Sequence, residues 1–184
     1  MKSDHDNVAI PARMAHLERD RRGYPIPVSV YRDSDGRPHF TIIDELKRQR
    51  VIADDRCPIC GGKLTRGRWF VGGPMSAFNN RGAYIDPPMH GECARYALRV
   101  CPYLAAPNYD KRIDDKTLPP GDDAPMLLDP TLIPERPDYF VAVMATGQKL
   151  IMNGGVVQYI APKRPYSRIE FWQYGQRVGK EEVA

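Results

Sequence analysis

Cys57-Pro58-Ile59-Cys60-Gly61-Gly62 decides how this chain is read, and it is answered about thirty residues later by His90-Gly91-Glu92-Cys93. Two thiols across a two-residue gap, then an imidazole and a third thiol across another, make a set of four soft or borderline donors. A tight turn followed by one helical turn can bring such a set to one tetrahedral cation. Pro58 fixes one dihedral of the turn, while Gly61 and Gly62 can take positive φ and let backbone amides face the thiolates. Cys57, Cys60, His90 and Cys93 are therefore the expected ligands of a structural Zn2+ ion. Cys101 is the alternative to His90. It lies two turns beyond Cys93, about 12 Å along a helix, which is far for one ion with bonds of about 2.1–2.3 Å, so His90 is preferred.

Outward from this pair, Arg68-Trp69-Phe70-Val71 and Met75-Ser76-Ala77-Phe78 read as two short strands around Gly72-Gly73-Pro74. Pro88 suits the first turn of a helix running to about Cys101, where Pro102 discourages continuation. In that first turn His90 and Cys93 stand three apart and reach one ion. Knuckle, hairpin and a helix whose start supplies the second ligand pair resemble the treble-clef zinc-finger arrangement over residues 55–104.

Before the knuckle, residues 1–23 are charged and read as an arm or a short surface helix. Residues 24–31 alternate toward a strand, and Asp33-Ser34-Asp35-Gly36 followed by Phe40-Thr41-Ile42-Ile43 is a hairpin signature. Asp44 can cap a short surface helix ending near Ala53 that carries basic side chains. After the helix, residues 105–138 are rich in Pro and Asp and read as a connector. Residues 139–184 then read as antiparallel β: strands at 139–144, 148–152 and 156–160, with Asn153-Gly154-Gly155 as a hairpin turn, and a fourth at 169–175.

The chain's 184 residues can bury a sizeable core, and 42% hydrophobic with 27% charged residues is ordinary for a globular protein. Its 18 prolines argue against a long helical bundle. The expected class is thus α+β: a treble-clef-like zinc core over 24–104 joined by the proline-rich connector to a small C-terminal antiparallel sheet. No run approaches the roughly 20 apolar residues of a membrane span, and the first ten residues lack the apolar stretch of a secretory leader. A cytoplasmic setting with reduced thiols is expected.

Charge is unevenly placed. Residues 47–68 hold seven basic side chains against Asp54 and Asp55, whereas 110–138 hold eight acids against four bases. The basic stretch suggests a polyanionic partner, nucleic acid or a nucleic-acid-handling protein, with Arg48, Arg50, Lys63, Arg66 and Arg68 as contacts; a plain solvated surface is the other reading. Trp172 and Tyr174, near Arg168 and Arg177, could stack on bases or simply pack one face of a strand.

Four donors, three of them thiolates, favour a closed structural site over a catalytic zinc with an open position. A deaminase signature is incomplete: His90-Gly91-Glu92 matches His-x-Glu, but no Pro-Cys-x-x-Cys follows. No His between Cys60 and His90 could serve a treble-clef nuclease as base. The competing class is a small metal-dependent enzyme acting on a nucleotide or nucleic acid, with Asn79, Asp86 and Glu92 near the metal. Taken together, RCPICGGKL, WFVGGPMSAF, DPPMHGECARYALRVCPYL and IEFWQYGQRVGKEEV resemble a family of small uncharacterised proteins from bacteria and their phages. The resemblance implies that the zinc unit and the C-terminal sheet belong together, and it brings no activity with it.

Overall fold

The computed structural model describes residues 8–106 and 136–183. Most of the expected connector, 107–135, and the first seven residues of the arm lie outside them. The described chain is mixed α and β, with helices packed on small antiparallel sheets.

Strands β1 (Val30–Arg32) and β2 (Pro38–Ile43) form the expected hairpin, with Tyr31 opposite His39. Its turn is held by Asp33, whose carboxylate accepts the amides of Asp35 and Arg37, while Gly36 takes φ +78°. The strand expected from residue 24 is mostly absent. Pro25 and Pro27 offer no N–H to a ladder, and the neighbouring amides go elsewhere: Ile26 donates to Glu18 O, Val28 to Ile59 O and Ser29 to Pro58 O. This segment is thereby tied to the knuckle.

Helix α1 (Glu45–Ala53) begins as expected, Asp44 accepting the Lys47 amide at 3.0 Å. It is not a purely surface helix, because Arg48, Val51 and Ile52 are buried. Strand β3 (Arg68–Gly72) is also where the sequence put it. The second strand of that expected hairpin is instead a short helix, α2 (Pro74–Phe78). Pro74 presets helical φ at the first position after an extended Gly73, and Ala77 buries itself against the sheet. Helix α3 (Gly91–Val100) starts three residues later than Pro88 suggests. Met89 exchanges both backbone hydrogen bonds with Trp69, at 2.8 and 3.0 Å, so residues beside it stay extended and His90 becomes the N-cap. Pro102 ends α3 and opens one further turn, α4 (Pro102–Ala105).

The C-terminal part holds β4 (Phe140–Ala145), β5 (Gln148–Asn153), β6 (Val156–Pro162), β7 (Arg168–Gln173) and β8 (Gln176–Val178). Gly154 and Gly155 turn β5 into β6 with φ of +57° and +82°. Strand β8 was not anticipated. Tyr174 and Gly175 form its tight turn with φ of +49° and +78°, where the sequence reading carries one strand through Gly175.

The main sheet runs β3-β4-β7-β8, antiparallel throughout, with Phe70 opposite Val143 and Ala142 opposite Glu170. A strand from beside the knuckle thus shares a ladder with strands from beyond residue 139. One face, through Trp69, Val71, Phe140, Ala142 and Trp172, packs on α3 and the cysteines. Met14, from a 3-10 turn at Ala12–Met14, is buried in the same cluster. The other face, through Phe70, Val141, Val143 and Ala145, packs on Ala77, Tyr84 and Ile160. An ion pair fastens α3 to the sheet: Arg95 donates to both oxygens of buried Glu170, at 2.7 and 3.1 Å, and stacks on Trp69 at 4.5 Å.

Candidate metal centre

The knuckle closes through short backbone bonds. Cys57 donates to Gly62 O and Gly61 to Cys57 O, each at 2.9 Å, and Gly61 takes φ +71°, which glycine adopts without strain. Arg56 and Lys63 bridge the stem. His90 at the N-cap and Cys93 in the first turn of α3 face this loop, as the three-residue spacing requires.

The three Sγ atoms and a ring nitrogen of His90 all lie within 4.8 Å of one another. Relative exposures of 0, 3, 4 and 0% for Cys57, Cys60, His90 and Cys93 put the group in the core. No disulfide involves any of the four cysteines. Cys60 Sγ is 3.3 Å from His90 Nδ1. The other ring nitrogen, Nε2, donates to the Lys63 carbonyl at 2.8 Å, which fixes the tautomer and leaves the Nδ1 lone pair aimed at the sulfurs. These four residues form a site able to hold a metal ion. Cys101, at the C-cap of α3, stands outside it.

Electrostatics favour a cation there. The Cys60 thiol is held far below its usual range, first by the Cys57 hydrogen bond, then by Cys93, with the Gly62 amide helping. Cys57 is pushed up, chiefly because it donates to Cys60, although the Cys60 and His90 amides oppose this. Cys93 is pushed far up by donating to both other sulfurs. Cys60 is thus the favoured thiolate, and the thiol protons of Cys57 and Cys93 lie among the three crowded sulfurs. A dication would replace those protons and satisfy all three thiolates.

Sequence reasoning missed two contributors. One is the Lys63 backbone carbonyl, which has no signature in residue type. The other is Arg13, from the N-terminal turn. Its pKa is raised first by its hydrogen bond to Glu92, with the charges of Cys60 and Cys93 adding to it. Glu92 is accordingly drawn to Arg13 at 3.0 Å on the exposed side of α3, and no carboxylate belongs to the four-donor group. Asn79 caps the end of α2 and accepts the Arg81 amide.

The expected nucleic-acid contacts separate on the structure. Arg50, Lys63 and Arg66 are exposed, and Lys63 donates to the Asp54 carbonyl at 2.6 Å. Arg68 is half-buried and chelates the Asp55 carboxylate, which it holds below the ordinary range. Arg48 is a correction: its side chain is fully buried and donates to Ile85 O, Val157 O and Gln158 O and to Glu45, so it cannot reach a partner. Trp172 is likewise buried, its indole N–H donating to Glu170, and packing rather than base stacking is its role. No described helix is long and apolar enough to cross a membrane. Comparison with family models, with curated proteins and with solved structures yields no match.

Proposed function

We propose that this protein is a non-enzymatic binding module built on a structural Zn2+ site of treble-clef type. The observation that carries this reading is the buried convergence of Cys57, Cys60, Cys93 and His90 within 4.8 Å. Sulfurs around a tetrahedral zinc with bonds of about 2.3 Å stand about 3.8 Å apart, so the group needs only a small contraction. Three thiolates and an imidazole suit zinc better than a hard cation such as Mg2+ or Ca2+. With four protein donors the coordination is closed, and water keeps no open position from which to attack a substrate. The order of parts also supports a treble-clef-like unit: the knuckle, then β3 bridged at Trp69 to Met89, then α3 carrying the second ligand pair.

The partner is nucleic acid or a nucleic-acid-handling protein, in the cytoplasm of a bacterium or of a phage-infected cell. Exposed Arg50, Lys63 and Arg66, with half-buried Arg68, supply the contacts. Purified protein should carry one zinc per chain by elemental analysis. Its affinity for nucleic acid should fall steeply with added salt, and replacing Arg50, Lys63 and Arg66 by Ala should weaken it without unfolding the protein. A metal-free preparation with an intact fold would overturn the zinc reading, and salt-insensitive binding would overturn the phosphate partner.

A further inference from the structure

On the side of the sheet away from α3, a groove of about 510 Å³ is lined by Ala77, Phe78, Arg164, Pro165 and Tyr166. We infer that this groove between α2 and the β6–β7 turn binds single-stranded nucleic acid, a base stacking on Phe78 and phosphates meeting Lys163 and Arg81. The inference rests on the nucleic-acid reading above but assigns a different surface.

The groove is built from two elements clamped together. Arg164 Nη2 donates to Ala77 O at 2.9 Å and to Asn79 O at 2.6 Å, and the Tyr166 hydroxyl donates to Ala77 O at 2.9 Å. The Arg164 guanidinium also sits 5.5 Å from the Tyr166 ring centre. Phe78 lies near-parallel to Phe171, at 28° with centroids 6.1 Å apart, yet remains 44% exposed. A supported ring that is still partly exposed is the arrangement a flat base can extend.

Charge selects the occupant. Residues 56–85 contain five basic side chains and no acidic one, and residues 139–169 contain four basic and no acidic one. Every residue lining the groove comes from these two acid-free stretches. Exposed Lys163 precedes Arg164 in the chain, exposed Arg81 donates its amide to the side chain of Asn79, the residue whose backbone carbonyl Arg164 holds, and neither is paired with a carboxylate among the described residues. An apolar ligand alone would not need that rim. A single strand offers both flat rings and phosphates, whereas bases in a duplex are already stacked and paired.

The test uses full-length, metal-loaded protein and fluorescence anisotropy with labelled oligothymidylate and oligouridylate of about 12 nucleotides, beside a duplex of equal length. Either single strand should bind more tightly than the duplex, the preferred one telling DNA from RNA. Phe78→Ala should weaken single-strand binding about 10-fold or more, and Phe78→Trp should retain it. Lys163→Ala with Arg81→Ala should shallow the salt dependence. Far-ultraviolet circular dichroism checks that the variants stay folded. Duplex binding as tight as single-strand binding, or a folded Phe78→Ala variant with unchanged affinity, would overturn this inference. If the Arg50, Lys63 and Arg66 substitutions then abolish binding, the knuckle surface survives alone. No binding of any probe at low salt would overturn both.

Discussion

At the scale of single residues, His90 shows how much one side chain depends on backbone it does not adjoin. Its Nε2–H donates to Lys63 O, and that bond aims Nδ1 at Cys60. Residue type and spacing named His90 as a ligand, but the tautomer follows from a carbonyl 27 positions away. Arg48 is the opposite case. Its place in a basic run suggested solvent and phosphate, yet its guanidinium satisfies three carbonyls from two other segments. Arg48→Ala would take the guanidinium from the Ile85 and Gln158 carbonyls and leave Gln49 alone to serve Val157 O and Glu45, and is expected to cost about 3–5 kcal/mol in urea unfolding. Arg48→Lys should not restore the loss, since an ammonium cannot reproduce the planar fork. Tyr84 gives the reverse prediction. Its hydroxyl is buried with no hydrogen-bond partner among the described residues, and burial pushes its pKa up. Tyr84→Phe keeps the ring against Phe70, and should leave the unfolding free energy unchanged or raise it, by up to about 1 kcal/mol.

At the scale of elements, helices and strands were legible where local chemistry fixes them and misread where a neighbour does. The Asp44 cap and the Asn153-Gly154-Gly155 turn were readable because side chain and φ preference act within a few residues. The start of α3 was not. Helix α3 begins at Gly91 because Met89 is claimed by Trp69, a contact across 20 positions. Gly91 itself is required there, since a Cβ would lie 2.7 Å from the Trp69 indole nitrogen, and Arg95 holds that indole in place. Gly91→Ala is expected to destabilise by about 1–3 kcal/mol, and to weaken metal retention in a chelator competition, because His90 adjoins it. The β1–β2 hairpin carries an acid dependence. The Asp33 carboxyl is held below its ordinary range, first by the hydrogen bond with His39 at 2.9 Å and then by the Arg37 amide. A depressed pKa means the contribution is fully present above the unfolded carboxyl value and is lost as pH falls through the folded one. The Arg37 amide resonance should therefore shift in an NMR acid titration below about pH 4, and Asp33→Asn should abolish that titration step.

At the scale of the whole molecule, the four-donor group and the sheet are one unit. Cys57, Cys60 and Cys93 share a cluster with Trp69 and Trp172, and β3 continues the ladder of β4 and β7. Removing the proposed zinc should therefore do more than loosen a knuckle. With a strong chelator, the near-ultraviolet circular dichroism of Trp69 and Trp172 should collapse, and zinc should restore it. Retention of that signal in a metal-free protein would show that the apolar cluster suffices without the ion. Metal retention should also weaken as pH is lowered, because protons compete with the cation for the thiolates. Helix α1 is fixed from afar in the same manner: Gln49 exchanges hydrogen bonds with both backbone groups of Val157, 108 residues away.

The sequence by itself determined the α and β elements that local rules govern and the four donors that converge. Donor type, two-residue gaps and glycine placement are properties of a short stretch, and the chemistry of a soft cation reads them directly. Only the tertiary structure decided that β3 joins the distant β4, that Met75 to Phe78 is helical, that Arg48 is buried, and that Phe78 faces an open groove. Each of those depends on which apolar surface happens to lie opposite, and a linear pattern carries no record of its partner across space.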